Sequence, residues 1–143
     1  MVSTMPLQPH QFALFSTVAL LVVTTYFLLG SIPLLTLKHD TTLDARFIRS
    51  FYVTYYRFAL VTATGATISY AMASRPAFAA GAAGIVIVTL LLRRRFLPQM
   101  DTLGNQIHAN AEAAIPAFRQ IHQRAILINL AQLLGILGSL VAL

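Results

Sequence analysis

Four apolar blocks dominate this chain, at about 12–37, 51–73, 77–92 and 125–143. Each approaches the length that a helix needs to cross a hydrocarbon core of roughly 30 Å, the third with its flanking residues counted. A backbone in lipid must satisfy its own hydrogen bonds, so such blocks are expected to be helical. The sequence therefore predicts an all-α, integral membrane four-helix bundle running up-down-up-down as a single membrane domain. Composition agrees: 57% of the 143 residues are hydrophobic and only 10% are charged, against about 25% in a soluble domain.

The basic residues orient the spans. Lys38, Arg46 and Arg49 fall in the first connection, and Arg93, Arg94, Arg95, Arg119 and Arg124 in the third. The second connection, Ser74–Arg75–Pro76, holds one arginine, and Arg57 lies inside the second block. The positive-inside rule then puts loops one and three in the cytoplasm and both termini on the non-cytoplasmic side. A bacterial inner membrane is the expected location. Met1–Gln11 carries no Lys or Arg, so it lacks the basic region of a signal peptide, and the first block is expected to be retained.

The formal charge of +6 belongs to membrane boundaries. Arg93, Arg94 and Arg95 are expected to anchor the third span at lipid headgroups. Nucleic acid is not an expected partner, because the chain leaves no room for a soluble basic face. The absence of cysteine excludes disulfides, thiol catalysis and thiolate metal sites. No phosphate loop, zinc motif or hydrolase triad is present.

The blocks differ in texture. The first carries Phe15, Leu21, Tyr26 and Phe27 around its circumference, and these are expected to face a partner or lipid. Pro33 near its end removes an amide donor and predicts a kink. The other three carry Gly65, Gly81, Gly84, Gly135 and Gly138, where close helix packing is expected. Pro98 and Gly104 predict an irregular start to the third loop. Over 106–124, Ile107, Ala111, Ala114, Ile115, Phe118 and Ile121 recur at helical spacing, predicting an amphipathic cytoplasmic segment.

Polar residues inside the apolar blocks are few. Arg57 either snorkels to the headgroups beside the tyrosines or points inward; in the second case Arg57, His122, Asn129 and Gln132, at similar depth, form an interhelical polar cluster, since an unpaired polar group in hydrocarbon costs a few kcal/mol. Asn129 is expected to bond to Arg57, His122 or a backbone carbonyl of the second helix. His39 and His122 are positioned to meet at the inner surface. No catalytic residue, metal site or cofactor is predicted; a haem would have to use these histidines. Asp40, Asp44, Asp101 and Glu112 all fall outside the blocks, which disfavours a proton-coupled transporter.

Phe118–Arg119–Gln120–Ile121–His122–Gln123–Arg124, with Ile128–Asn129–Leu130 following, resembles the last span of a family of small four-helix membrane proteins that includes transmembrane protein 205-like proteins. Arg46, Phe51, Tyr55 and Tyr56 also resemble its aromatic-rich approach to the second span. Ile121 stands where that family commonly has Leu. The resemblance implies four-span topology and draws attention to His122 and Asn129, and it implies no reaction. The expected function is an accessory or stabilising subunit of a larger membrane complex, with the bilayer and other membrane subunits as partners. The alternatives are a small haem- or quinone-linked redox protein using His122 with Arg57, and a small-molecule or lipid transporter.

Overall fold

The computed structural model describes residues 6–143; the start of the Met1–Gln11 segment lies outside them. The fold is all-α. Helix α1 spans Pro9–Leu34, α2 Thr42–Met72, α3 Pro76–His108 and α4 Ala114–Ala142. Three of them, α1, α3 and α4, are long and apolar enough to cross a membrane. Helix α2 is not among them, because threonines, tyrosines and Arg57 dilute its apolar run. One face of it is buried, covering Tyr52, Tyr55 and Tyr56 completely or nearly so, while Phe58, Val61 and Ile68 are exposed on the other.

Cross-helix contacts fix the packing. Thr17 meets Tyr70 and Ser31 meets Tyr52, so α1 and α2 run antiparallel. Ser31 also meets His122, while Leu20 clusters with Ile136, so α1 and α4 run antiparallel too. Gly104 lies against Ala45, and Tyr70 stacks on Phe78, which sets α3 antiparallel to α2. Each connection contains one residue in the left-handed region: His39, Ser74 and Asn110, at φ 60°, 55° and 61°. Asn and His are among the non-glycine residues that tolerate this conformation best.

Local chemistry explains the helix ends. Pro9 occupies the first turn of α1, where its missing amide is no loss. Thr41 caps α2 by accepting from the Asp44 amide at 3.2 Å, and Asp44 lies in the positive first turn. Pro33 sits in the last turn of α1, and the helix ends one residue later, three residues short of the predicted span end.

The third loop differs most from expectation. Pro98 and Gly104 lie inside α3, which runs on for 33 residues, about 50 Å. Arg93, Arg94 and Arg95 are exposed in the middle of that helix, not at its end. The amphipathic stretch 106–124 is not one helix: residues 109–113 form a turn, and only the part from Ala114 extends α4. The apolar faces of these extensions explain the result. Leu97, Met100 and Ile107 of α3 pack with Ala114, Phe118 and Ile121 of α4 and Ala45 and Ile48 of α2. Arg49 pairs with Asp101 across the same layer.

Glycine packing also departs from the sequence reading. Side chains built at Gly81, Gly84, Gly135 or Gly138 would meet nothing within 4 Å. Gly65 has only Ser16 nearby, at 3.5 Å. The close approach is at Gly30, where a Cβ would stand 2.9 Å from the Phe51 ring. Gly30→Ala is therefore expected to lower stability in detergent by about 1–3 kcal/mol through overpacking. Gly84→Ala is expected to raise it by up to about 1 kcal/mol through helix propensity. Thermal melts of the two variants beside the wild type check the contrast.

Candidate functional site

One group of buried polar side chains gathers where α1 ends. His39, His122, Ser31 and Tyr52 are all fully buried. His39 Nε2 lies 3.1 Å from His122 Nδ1. His122 Nε2 lies 3.1 Å from Ser31 Oγ, which lies 2.5 Å from the Tyr52 hydroxyl. One chain of hydrogen bonds thus links the first loop, α4, α1 and α2.

One direction of donation leaves fewer groups unpaired along this chain. The Tyr52 hydroxyl donates to Ser31, Ser31 to His122 Nε2, and His122 Nδ1–H to His39 Nε2. The remaining proton then sits on His39 Nδ1, where the Leu37 carbonyl favours it, although no partner there meets full hydrogen-bonding geometry. In the reverse direction the Tyr52 proton has no acceptor and His39 Nδ1 is a bare lone pair.

The loop supports the site. The left-handed turn at His39 carries its ring under α4, against Phe118 at 6.0 Å between centroids. Arg119 donates to the carbonyls of Leu35 at 2.7 Å and Leu37 at 3.4 Å, tying α4 to the chain just beyond α1. Burial holds the His39 pKa below its ordinary 6.5, and the Arg119 charge adds to that depression, opposed by Leu37, Asp44 and Asp40.

Arg57 does not belong to this cluster. It is exposed, and the site holds only uncharged groups. Asn129 is fully buried, yet neither atom of its amide has a partner, so the expected bonds to Arg57, His122 or a carbonyl of α2 are not made. Gln132 accepts from the Tyr55 hydroxyl at 3.4 Å through Oε1, while its Nε2 has no partner. The Tyr56 hydroxyl is also buried without one. The predicted four-residue cluster thus divides into His122, with partners unforeseen except His39, and an amide pair one helical turn apart nearer the far end of α4.

Ser31 and Tyr52 escaped sequence reading. Ser31 is a serine beside Gly30 and two residues before Pro33, and serine in a helix usually satisfies itself on its own backbone. Tyr52 is one of several tyrosines that an aromatic belt would explain equally well. Both ring nitrogens of His122 are engaged, so an axial ligand role would require it to release Ser31 or His39. Of the residues expected to face a partner, Phe15 and Tyr26 are exposed, Leu21 is half-buried, and Phe27 is buried against Phe51 and Tyr55. Phe27 is a core residue because it fills the space beside the tyrosine-rich face of α2.

Comparison with protein-family models, curated proteins and solved structures finds no match to this chain.

Ser31→Ala leaves the Tyr52 hydroxyl and His122 Nε2 without their partner. It is expected to cost about 1–3 kcal/mol, the desolvation penalty of an unsatisfied buried group, measurable as a drop in melting temperature. The pH dependence has a defined sign. A histidine whose folded pKa is depressed binds fewer protons than its unfolded counterpart below pH 6.5, so stability falls as pH falls through that range. Melts between pH 7.5 and 5 are expected to show this loss. His39→Gly, which keeps the left-handed turn, is expected to flatten it.

Proposed function

We propose that this protein is an integral membrane subunit with four spans that acts by packing against other membrane proteins. The observation that carries the reading is a stripe on α1. Phe15, Val18, Val22, Tyr26, Leu29 and Ile32 are all exposed. Positions 15, 18, 22 and 29 follow the three-four spacing by which one helix presents a seam to another. Lipid also covers apolar stripes, but Tyr26 distinguishes the two. It is 69% exposed and lies eight residues from the end of α1 at Leu34, about 12 Å along the axis. A phenol hydroxyl at that depth in hydrocarbon has nothing to bond to, whereas a neighbouring helix can supply an acceptor.

The orientation belongs to the same proposal. Loops one and three face the cytoplasm, and both termini face the other side, on the strength of the arginine distribution. The region around Arg49, Asp101, Thr42 and His108 then projects into the aqueous phase. Its ion pair and the 3.1 Å bond between Thr42 and His108 suit that environment. Helix α2 crosses although it is less apolar than its neighbours, because Tyr52, Ala59, Ala63 and Ala66 are shielded by them.

Two measurements test this reading. Purified in a mild detergent from its native membrane, the wild-type chain is expected to migrate well above its own 15.6 kDa with other membrane proteins. Phe15→Ser combined with Val22→Ser is expected to reduce their recovery at least tenfold while retaining helical content. A wild-type chain that runs alone from native membranes sinks the subunit reading. Reporter fusions after Leu143 and within 109–113 are expected to give non-cytoplasmic and cytoplasmic signals; the opposite pattern sinks the orientation.

A further inference from the structure

Between the four helices, at the end away from His39, lies a cavity of about 260 Å³. All four helices contribute to its wall. Tyr70 and Phe78 form a flat aromatic side, with ring centroids 5.3 Å apart and planes 24° from parallel. Gly81 of α3 and Gly135 of α4 form another side, where a Cβ on either would point into open space. Both glycines are exposed, so the seam between α3 and α4 gives lateral access.

Almost every polar atom on the wall is already satisfied. Thr17 donates to the Ala13 carbonyl at 2.8 Å and bonds the Tyr70 hydroxyl at 2.6 Å. Ser139 donates to the Ile136 carbonyl at 2.7 Å. Gln132 accepts from the Tyr55 hydroxyl through Oε1 at 3.4 Å. What remains is Gln132 Nε2, buried and without a partner. The wall contains no Asp, Glu, Lys, Arg or His.

We propose that this cavity binds an uncharged amphiphile: an apolar chain or ring that carries a carbonyl, whose oxygen accepts from Gln132 Nε2. Three features select that class. The lone free polar atom is a donor, so the guest must bring an acceptor. No charge on the wall balances a charged guest, and burying one unpaired is prohibitively costly. The volume suits a short chain or a single substituted ring, since an apolar cavity of about 150 Å³ already takes benzene. Water is the wrong occupant, because an ordered buried water needs two to four polar partners and only one is free. The site is independent of the α1 stripe, so it does not depend on the subunit reading.

The test uses the full chain in mild detergent and two photoreactive probes. One is the methyl ester of a ten-carbon fatty acid bearing a diazirine; the other is a diazirine alkane of equal length without the ester. Labelled peptides are mapped by mass spectrometry. The ester is expected to label the cavity wall around Ile85 and Ile136 at least fivefold more than the alkane. Gly135→Leu, which fills the cavity, is expected to reduce that labelling at least fivefold, and Gly81→Leu does the same from α3 should the first variant misfold. Gln132→Leu is expected to abolish the preference for ester over alkane, while Gly138→Leu, outside the wall, is expected to change neither. Labelling confined to the exposed face of α1, or unaltered by both cavity-filling variants, overturns the site. Equal labelling of the wild-type wall by both probes overturns the carbonyl assignment.

Discussion

Burying the imidazole of His122 is the constraint on which one half of this molecule is organised. A histidine ring has two nitrogens, and each must find a partner once water is excluded. His122 finds Ser31 on α1 and His39 in the first loop. Those two partners can be in place only if α1 ends where it does and the chain turns through a left-handed residue. Arg119, one turn earlier on α4, holds the same turn by its carbonyls. Loop geometry, helix register and polar satisfaction are thus one problem with one solution. Breaking any member leaves the others unpaired, which costs more than the net value of a single hydrogen bond.

The bundle is unequal along its length. Near His122, aromatic and branched side chains from α1, α2, α3 and α4 fill the core, and Tyr52, Tyr55, Tyr56 and Phe118 are almost wholly covered. Toward the other end alanines make up much of the buried set: Ala13, Ala66 and Ala82 with Tyr70 in one cluster, Ala63 with Leu20 and Ile136 in another. Small residues permit close helix approach only when the backbones actually approach. Here a Cβ at Gly81, Gly84, Gly135 or Gly138 would meet nothing within 4 Å among the described residues. The same residue type that signals tight packing in a sequence therefore produces open volume. Which outcome occurs depends on where the bulky neighbours hold the helix axes apart, a property of the whole bundle and not of one helix.

That dependence explains what could be read from the sequence and what could not. The existence and type of the helices followed from apolar block lengths, since a long apolar segment has few other ways to satisfy its backbone. The meeting of His39 and His122 was legible because two histidines fell at the same boundary. Helix ends in the third loop were not legible: Pro98 and Gly104 are strong local breakers, yet the packing of Met100 and Ile107 beneath α2 and α4 outweighs them. Of the two readings of Arg57 the inward one fails, for a related reason. Helical phase decides whether a residue at a given depth faces the core, and Tyr52, Tyr55, Tyr56 and Ala59 occupy that face.

Asn129 and Gln132 show how an uncharged polar pair behaves when no charge shares the interior. Adjacent on one face of α4, they meet different fates. Gln132 Oε1 accepts from Tyr55 while its Nε2 has no partner among the described residues, and Asn129 has none for either amide atom. A free amide in an apolar interior is unstable relative to one that is paired, so each supplies a driving force for whatever can approach it. At Gln132 the cavity wall gives that approach a route; Asn129 is not part of the wall. In the proposed binding mode the guest therefore meets one amide nitrogen, while the His39–His122–Ser31–Tyr52 chain ties the first loop, α4, α1 and α2 together at the opposite end.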